Sequence, residues 1–195
     1  MKQVQINYNR CIGCKHCELA CIVEHSQSKE LFSCLEEQQD PKRFINIEVT
    51  DLRAHPVNCR HCEFPLCMNV CPVSAIEKRE GKVLIKSSLC IGCGMCAMAC
   101  PFGVIKYISL EDSVQRRVAV KCDGCKDRVE AGRIPACVEA CKTGALVYES
   151  IEEYESKKRK RAVSLISGQI QEPEPAEIVL WKDYLSRLYS LNREE

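Results

Sequence analysis

Seventeen of the 195 residues are cysteine, and sixteen of them fall into four groups of four. The groups read Cys11-x2-Cys14-x2-Cys17-x3-Cys21, Cys59-x2-Cys62-x4-Cys67-x3-Cys71, Cys90-x2-Cys93-x2-Cys96-x3-Cys100 and Cys122-x2-Cys125-x11-Cys137-x3-Cys141. Thiolates at such spacings hold either structural zinc or iron–sulfur clusters. A structural zinc site needs two Cys-x2-Cys knuckles, or one with a His pair, set a dozen or more residues apart. Three closely spaced cysteines followed by x3-Cys leave no second knuckle, so the pattern points to four 4Fe-4S cubanes, with zinc as the alternative. The odd cysteine total also disfavours a fully paired disulfide scaffold.

The third quartet, ending Cys100-Pro101, is the run of bacterial two-cluster ferredoxins, in which three thiolates hold one cubane and the fourth reaches another. The second ends the same way at Cys71-Pro72, and three quartets continue alike into Val73-Ser74-Ala75-Ile76, Phe102-Gly103-Val104-Ile105 and Thr143-Gly144-Ala145-Leu146. This is an internal repeat. Only 18 residues join quartets two and three, which suits one compact two-cluster unit and leaves quartet one to pair with quartet four. The expected ligand sets are Cys11, Cys14, Cys17 and Cys141; Cys59, Cys62, Cys67 and Cys100; Cys90, Cys93, Cys96 and Cys71; and Cys122, Cys125, Cys137 and Cys21.

The elements that must position these thiols are small. Strand candidates are Val4 to Ile6, Lys82 to Ile85, Val104 to Ile108, Arg117 to Val120 and Ala145 to Tyr148, with short helices following the third cysteine of each quartet. Residues 44–50 alternate, placing Ile45, Ile47 and Val49 on one face of a half-buried strand. The expected fold class is α+β, a nested pair of two-cluster ferredoxin-like units of antiparallel strands and short helices with a helical C-terminal extension. The expected boundaries are 1–54 with 112–150 for the outer unit, 55–111 for the inserted inner unit, and 151–195 for the extension.

With these residues in view, the sequence resembles the four-cluster ferredoxin-like electron-transfer subunits of complex oxidoreductases, such as those of dimethyl sulfoxide reductase and formate dehydrogenase. The likeness covers about residues 1–150, and the long gap from Cys125 through Gly132-Arg133-Ile134-Pro135-Ala136 to Cys137 carries it. Within that family, Cys17-Glu18-Leu19-Ala20-Cys21-Ile22-Val23-Glu24-His25-Ser26 is most similar to the ferredoxin-like subunit of carbon monoxide dehydrogenase. The resemblance implies an electron relay from carbon monoxide dehydrogenase to a hydrogenase or a flavin-dependent NAD(P) oxidoreductase. The alternative is the iron–sulfur subunit of a molybdopterin oxidoreductase or of a formate-linked hydrogenase. Lys142 departs from the family, which has Pro there, and removes no ligand.

The remaining residues add no catalytic constellation. No Gly-rich dinucleotide loop, P-loop or nucleophile elbow is present, so the chain reads as a non-catalytic subunit without a small-molecule substrate. Its net charge of +1 argues against a nucleic-acid carrier, although a zinc-ribbon protein holding RNA through Lys157-Lys158-Arg159-Lys160-Arg161 is the remote alternative. Neither a signal peptide nor an apolar span is evident, so the expected location is the cytoplasm, with any contact to the inner face of the membrane coming through a partner. His16, His25 and His61 adjoin quartets and are read as neighbours that tune potential through hydrogen bonds to sulfur. Cys34, the leftover, reads as a buried inert thiol, with a ligand shared with a partner as the alternative. Ser150-Ile151-Glu152-Glu153 is a capping-box start for a helix to about Leu165. A linker at residues 171–175 then leads to a second helix at 176–191, which packs on the body or docks on a partner.

Overall fold

The computed structural model describes residues 2–37, 42–110 and 113–168. Among the described residues, four antiparallel strand pairs, six α-helices and two short 3-10 helices account for the regular structure. β1 (Lys2–Ile6) pairs with β8 (Leu146–Ser150), in register from Lys2 opposite Ser150 to Ile6 opposite Leu146. β2 (Ile45–Thr50) pairs with β3 (Arg53–Asn58), β4 (Ile76–Arg79) with β5 (Lys82–Ile85), and β6 (Lys106–Leu110) with β7 (Ser113–Val120). The β2–β3 and β4–β5 hairpins turn through two residues at positive φ, Asp51-Leu52 and Glu80-Gly81. That backbone matches the twist of the strands it joins.

The helices are α1 (His16–Glu24), α2 (Leu66–Asn69), α3 (Met95–Ala99), α4 (Lys126–Glu130), α5 (Ala136–Glu139) and α6 (Ile151–Ile166). Helices of four or five residues are far below the length at which propensity alone sustains one. Each short helix instead starts where the backbone leaves it no choice. Lys15, Gly94 and Cys125, all left-handed, precede α1, α3 and α4, and Pro65 and Pro135 precede α2 and α5.

Strand β5 occupies the segment expected for it, β1 and β7 extend theirs towards the N-terminus, and β8 starts one residue late and runs on to Ser150. Val104 and Ile105 do not join β6; they are buried ahead of it, because the turn after Pro101 drops them into the core before pairing begins. On β2 the buried face stops at Ile47, and Val49 is 64% exposed, since only the end of the ribbon beside α1 is covered. The helices begin one residue before the third cysteine rather than after it, so Cys17, Cys67, Cys96 and Cys137 each occupy the second helical position.

Two apolar cores form. One gathers Ile6, Phe44, Ile45, Ile47 and Leu146 with Cys17, Cys21 and Cys137. The other gathers Ala75, Ile76, Val83, Ile105, Val118 and Ala119 with Cys90 and Cys96. The cysteines thus complete an otherwise thin aliphatic interior, as sulfur's size and low polarity allow. Val118 and Ala119 lie beyond residue 111 and still belong to the second core, because β7 is hydrogen-bonded to β6.

The chain divides into a body, Met1–Ile151, and a second unit, Glu152–Glu195. Within the second, α6 exposes its basic run Lys157 to Arg161, and Arg159 reaches Glu155 one turn earlier at 3.4 Å. The linker expected at 171–175 and the helix expected at 176–191 lie outside the described residues. No described helix is long and apolar enough to cross a membrane.

Candidate metal centres

All seventeen cysteines are free thiols. The turn between the first two cysteines of each quartet is the same device four times. Gly13, Gly92, His61 and Gly124 each hold a left-handed backbone one residue before the second cysteine. At Gly92 the requirement is double, since a Cβ there would lie 2.4 Å from the Arg117 carbonyl oxygen. The turn bends the chain around one point, and the following helix brings the third cysteine back to it.

The thiols gather across quartets. Cys71 lines one cavity with Cys90, Cys93 and Cys96, walled by Val73, Ile76, Ile85 and Tyr107. Cys17 has Cys11 and Cys141 within electrostatic reach, and Cys67 has Cys59 and Cys100. Cys137 has Cys122, Cys125 and Cys21. In every group a fourth cysteine from another quartet joins members of a run. Burial pushes the thiols of Cys17 and Cys125 up to about 12 and holds those of Cys67, Cys122 and Cys137 above their ordinary value. Burial also raises Cys141, but the Leu146 N–H and the Thr143 hydroxyl outweigh it, and the net shift is downward.

Backbone N–H groups are aimed at these sulfurs. Phe44 donates to Cys21 at 3.3 Å, Ala75 to Cys71 at 3.3 Å, Ala119 to Cys90 at 3.3 Å and Leu146 to Cys141 at 3.4 Å. Within the turns, His61 N–H donates to Cys59 at 3.5 Å and Gly124 N–H to Cys122 at 3.4 Å. A protonated thiol is a poor acceptor, whereas a thiolate in a cluster is a good one. Reduced cysteines in fours, apolar walls and N–H donors facing sulfur are what a 4Fe-4S cluster requires.

The histidines divide. The His25 ring donates from Nδ1 to the Cys21 carbonyl at 2.8 Å and lies 3.7 Å from the Cys21 sulfur, while Nε2 meets Asp123 Oδ1 at 3.2 Å. Burial works against its charge, but Asp123 and Cys21 outweigh it and carry its pKa up to about 10; Asp123 itself falls to about 2. His61 goes the other way, held down to about 4 by burial and by the Lys121 ammonium. No contact assigns His16 a role. Cys34 is half-buried rather than buried, its thiol turned to the Leu31 carbonyl at 3.0 Å on a 3-10 turn too short to cover it.

Four buried polar residues escaped the sequence reading. Glu18, between Cys17 and Cys21, accepts the Ile47 N–H at 2.6 Å and pairs with Arg43 at 3.1 Å, pinning β2 to α1. Arg128 on α4 reaches Glu24 at 2.6 Å, Glu139 and the Ile134 carbonyl, closing the eleven-residue gap of quartet four onto α1. Lys121 donates to the carbonyls of Val83 and Cys122, and Asn58 is buried beside Cys59. Only a charged residue inside a Cys-x3-Cys interval, as Glu18 is, hinted at them.

Comparison with known proteins identifies the domains that carry these cysteines. A 4Fe-4S dicluster domain matches residues 50–151, and a 4Fe-4S binding domain matches residues 8–22. The chain thus belongs to the 4Fe-4S dicluster-domain family. Over 158 residues it is 39% identical to a component of the anaerobic dimethyl sulfoxide reductase of Escherichia coli, covering 78% of this chain and 75% of that relative. It is 34% identical over 166 residues to the electron transport protein HydN of E. coli, covering 78% and 92%. A component of the tetrathionate reductase of Salmonella typhimurium is 37% identical over 153 residues, covering 78% of this chain and 59% of that relative. This protein is therefore a non-catalytic iron–sulfur electron-transfer protein, and it carries multiple 4Fe-4S clusters.

Proposed function

We propose that this chain relays electrons through four 4Fe-4S sites between a catalytic subunit and a second redox protein. The observation that carries the reading is the cavity shared by Cys71 with Cys90, Cys93 and Cys96. A fourth ligand taken from the other run is the mark of paired clusters. The same crossing supports Cys141 with Cys11, Cys14 and Cys17; Cys100 with Cys59, Cys62 and Cys67; and Cys21 with Cys122, Cys125 and Cys137. The nested arrangement follows, with the β1–β8 pair closing an outer unit around an inner one whose C-terminal edge extends to Val120.

Each bound cubane supplies a one-electron carrier. The chain's residues set the order of the row. Cys137 has Cys17 within electrostatic reach, and Cys122 has Cys59, which supports quartet four lying between quartets one and two in a row ordered one, four, two, three. Cys14 and Cys93 are the exposed cysteines, and they belong to the two ends of that row. Near Cys14 in sequence stand Arg10 and Lys15, and next to Cys141 stands Lys142, all exposed; near Cys93 in sequence stand the exposed Ile91 and Met95. A cationic end and an apolar end suit two different partner surfaces. Between the ends the cysteines are buried or half-buried, which limits the access of water and oxidants to the path.

The relatives' names favour a catalytic partner of the molybdopterin oxidoreductase or formate-linked hydrogenase class over the carbon monoxide dehydrogenase suggested by residues 17–26. Anaerobic co-purification of the tagged full chain from its native host tests this. Recovery of a molybdopterin subunit or a hydrogenase supports the reading. Recovery of a carbon monoxide dehydrogenase would restore the other donor and keep the relay, and recovery of RNA with stoichiometric zinc would refute both.

A further inference from the structure

His61 occupies a position that the other three quartets give to glycine. Gly13, Gly92 and Gly124 take φ of +71°, +72° and +73° there, and His61 takes +45°. A side chain at such a backbone is strained, so the imidazole itself is the reason to look at what the ring does.

The ring's hydrogen bonds fix its tautomer. Nδ1 accepts the Val83 N–H at 3.0 Å and therefore carries no proton. The proton is on Nε2, which is buried and has no hydrogen-bond partner among the described residues. A buried N–H left unpaired is costly, so a missing acceptor is implied. The space around the ring is lined by Asn58, Cys59, Cys122 and Gly124. A Cβ on Gly124 would lie 3.6 Å from Nε2, so a residue of quartet two abuts the turn of quartet four. The Val83 carbonyl meanwhile accepts from the Lys121 ammonium, so one residue of β5 anchors both side chains at this junction.

We propose that His61 Nε2–H is a hydrogen-bond donor to the cluster held by quartet four, a positioning residue that spans the two ferredoxin-like units and raises that cluster's reduction potential. The inference rests on the ligand sets proposed above. A donor to cluster sulfur stabilises the more negative, reduced state, and hydrogen bonds to sulfur are among the main determinants of such potentials. The position also lies where an electron passes between quartets two and four, so the donor sets the step between the units.

The test is potentiometric titration, followed by EPR, of the anaerobically purified full chain as wild type, His61→Ala and His61→Gln. The quartet-four signal is identified by its loss in Cys125→Ser protein. In His61→Ala that midpoint is expected to move to a more negative value while the others stay in place. In His61→Gln, whose amide restores an N–H, it is expected to move back towards wild type. Unchanged midpoints in a variant that keeps its iron would overturn the proposal and leave the ring with a packing role or a buried water. Loss of iron from both variants would overturn it too, making His61 a requirement of the fold. Wild-type iron content is read in the same preparations, so failure of the four-cluster reading would show independently of the midpoint result.

Discussion

Replacing Arg128 should loosen half of the cluster row and leave the other half intact. Its side chain is 7% exposed and binds three acceptors: the Glu24 carboxylate on α1 at 2.6 Å, the Ile134 carbonyl at 2.7 Å, and Glu139 on α5. Glu139 is 52% exposed, so its pair adds little. Glu24 is 15% exposed, and breaking a buried pair by removing one partner costs about 3–5 kcal/mol. Lys29 stays 3.7 Å from Glu24 and softens the loss, which places Arg128→Ala near the lower bound, about 3 kcal/mol. At roughly 1.4 kcal/mol per decade, the local opening equilibrium rises by about two orders of magnitude. Where reclosing is faster than attack, the rate of iron removal by an anaerobic chelator tracks that opening. Signals assigned to quartets one and four should therefore disappear about a hundredfold faster, those of quartets two and three at the wild-type rate. Arg128→Lys, which keeps the charge but loses the fork, should fall between. A change of less than threefold, or equal acceleration of all four signals, would refute the reasoning.

Three further outcomes are expected. Gly92→Ala combines left-handed strain of about 1–2 kcal/mol with overlap against the Arg117 carbonyl, and should cost about 3 kcal/mol or more and deplete iron. Gly94→Ala, whose Cβ would meet nothing within 4 Å, should cost only the strain; equal melting temperatures for the two variants would contradict this. Cys71→Ser should alter the EPR signal of the quartet-three cluster and spare that of quartet two, and the opposite pattern would break the crossed ligand scheme. Cluster uptake by the metal-free polypeptide should strengthen as pH rises from 7 to 9, because thiols held up at about 12 release protons when they bind. The metal-free fold should move oppositely: a raised pKa favours the protonated folded form, whose stability is lost above pH 9.0 as the pH climbs towards 12. Isothermal titration in two buffers of different ionisation enthalpy measures the proton release.

The quartets were legible because ligand spacing is a local property, written within 20 residues at most. The strands beside them were legible for the same reason: Lys82–Ile85 is a run of β-formers ending at a turn. Helix onsets after Lys15 and Gly94 lie two residues earlier than expected because they depend on a left-handed backbone there, which no apolar period records, and α4, which starts after left-handed Cys125, was not expected. The limit of the buried face at Ile47 depends on where α1 lies. The polar interior was hidden more deeply. Glu18 finds its partner 29 residues away at Ile47, Lys121 finds Val83 at 38, and Arg128 finds Glu24 at 104. Each reads in sequence as an ordinary surface charge, and only the fold turns it inward. His61 looked like one of several histidines near cysteines; its tautomer and its orphan N–H come from β5.

The claim that four paired clusters carry single electrons is tested most directly by anaerobic reductive titration of the purified full chain, with iron and sulfide measured in the same sample. The expected result is about sixteen iron and sixteen sulfide per chain, with brown absorbance that bleaches over four reducing equivalents. A colourless protein with stoichiometric zinc, or a chain saturated at two equivalents with about eight iron, would contradict it.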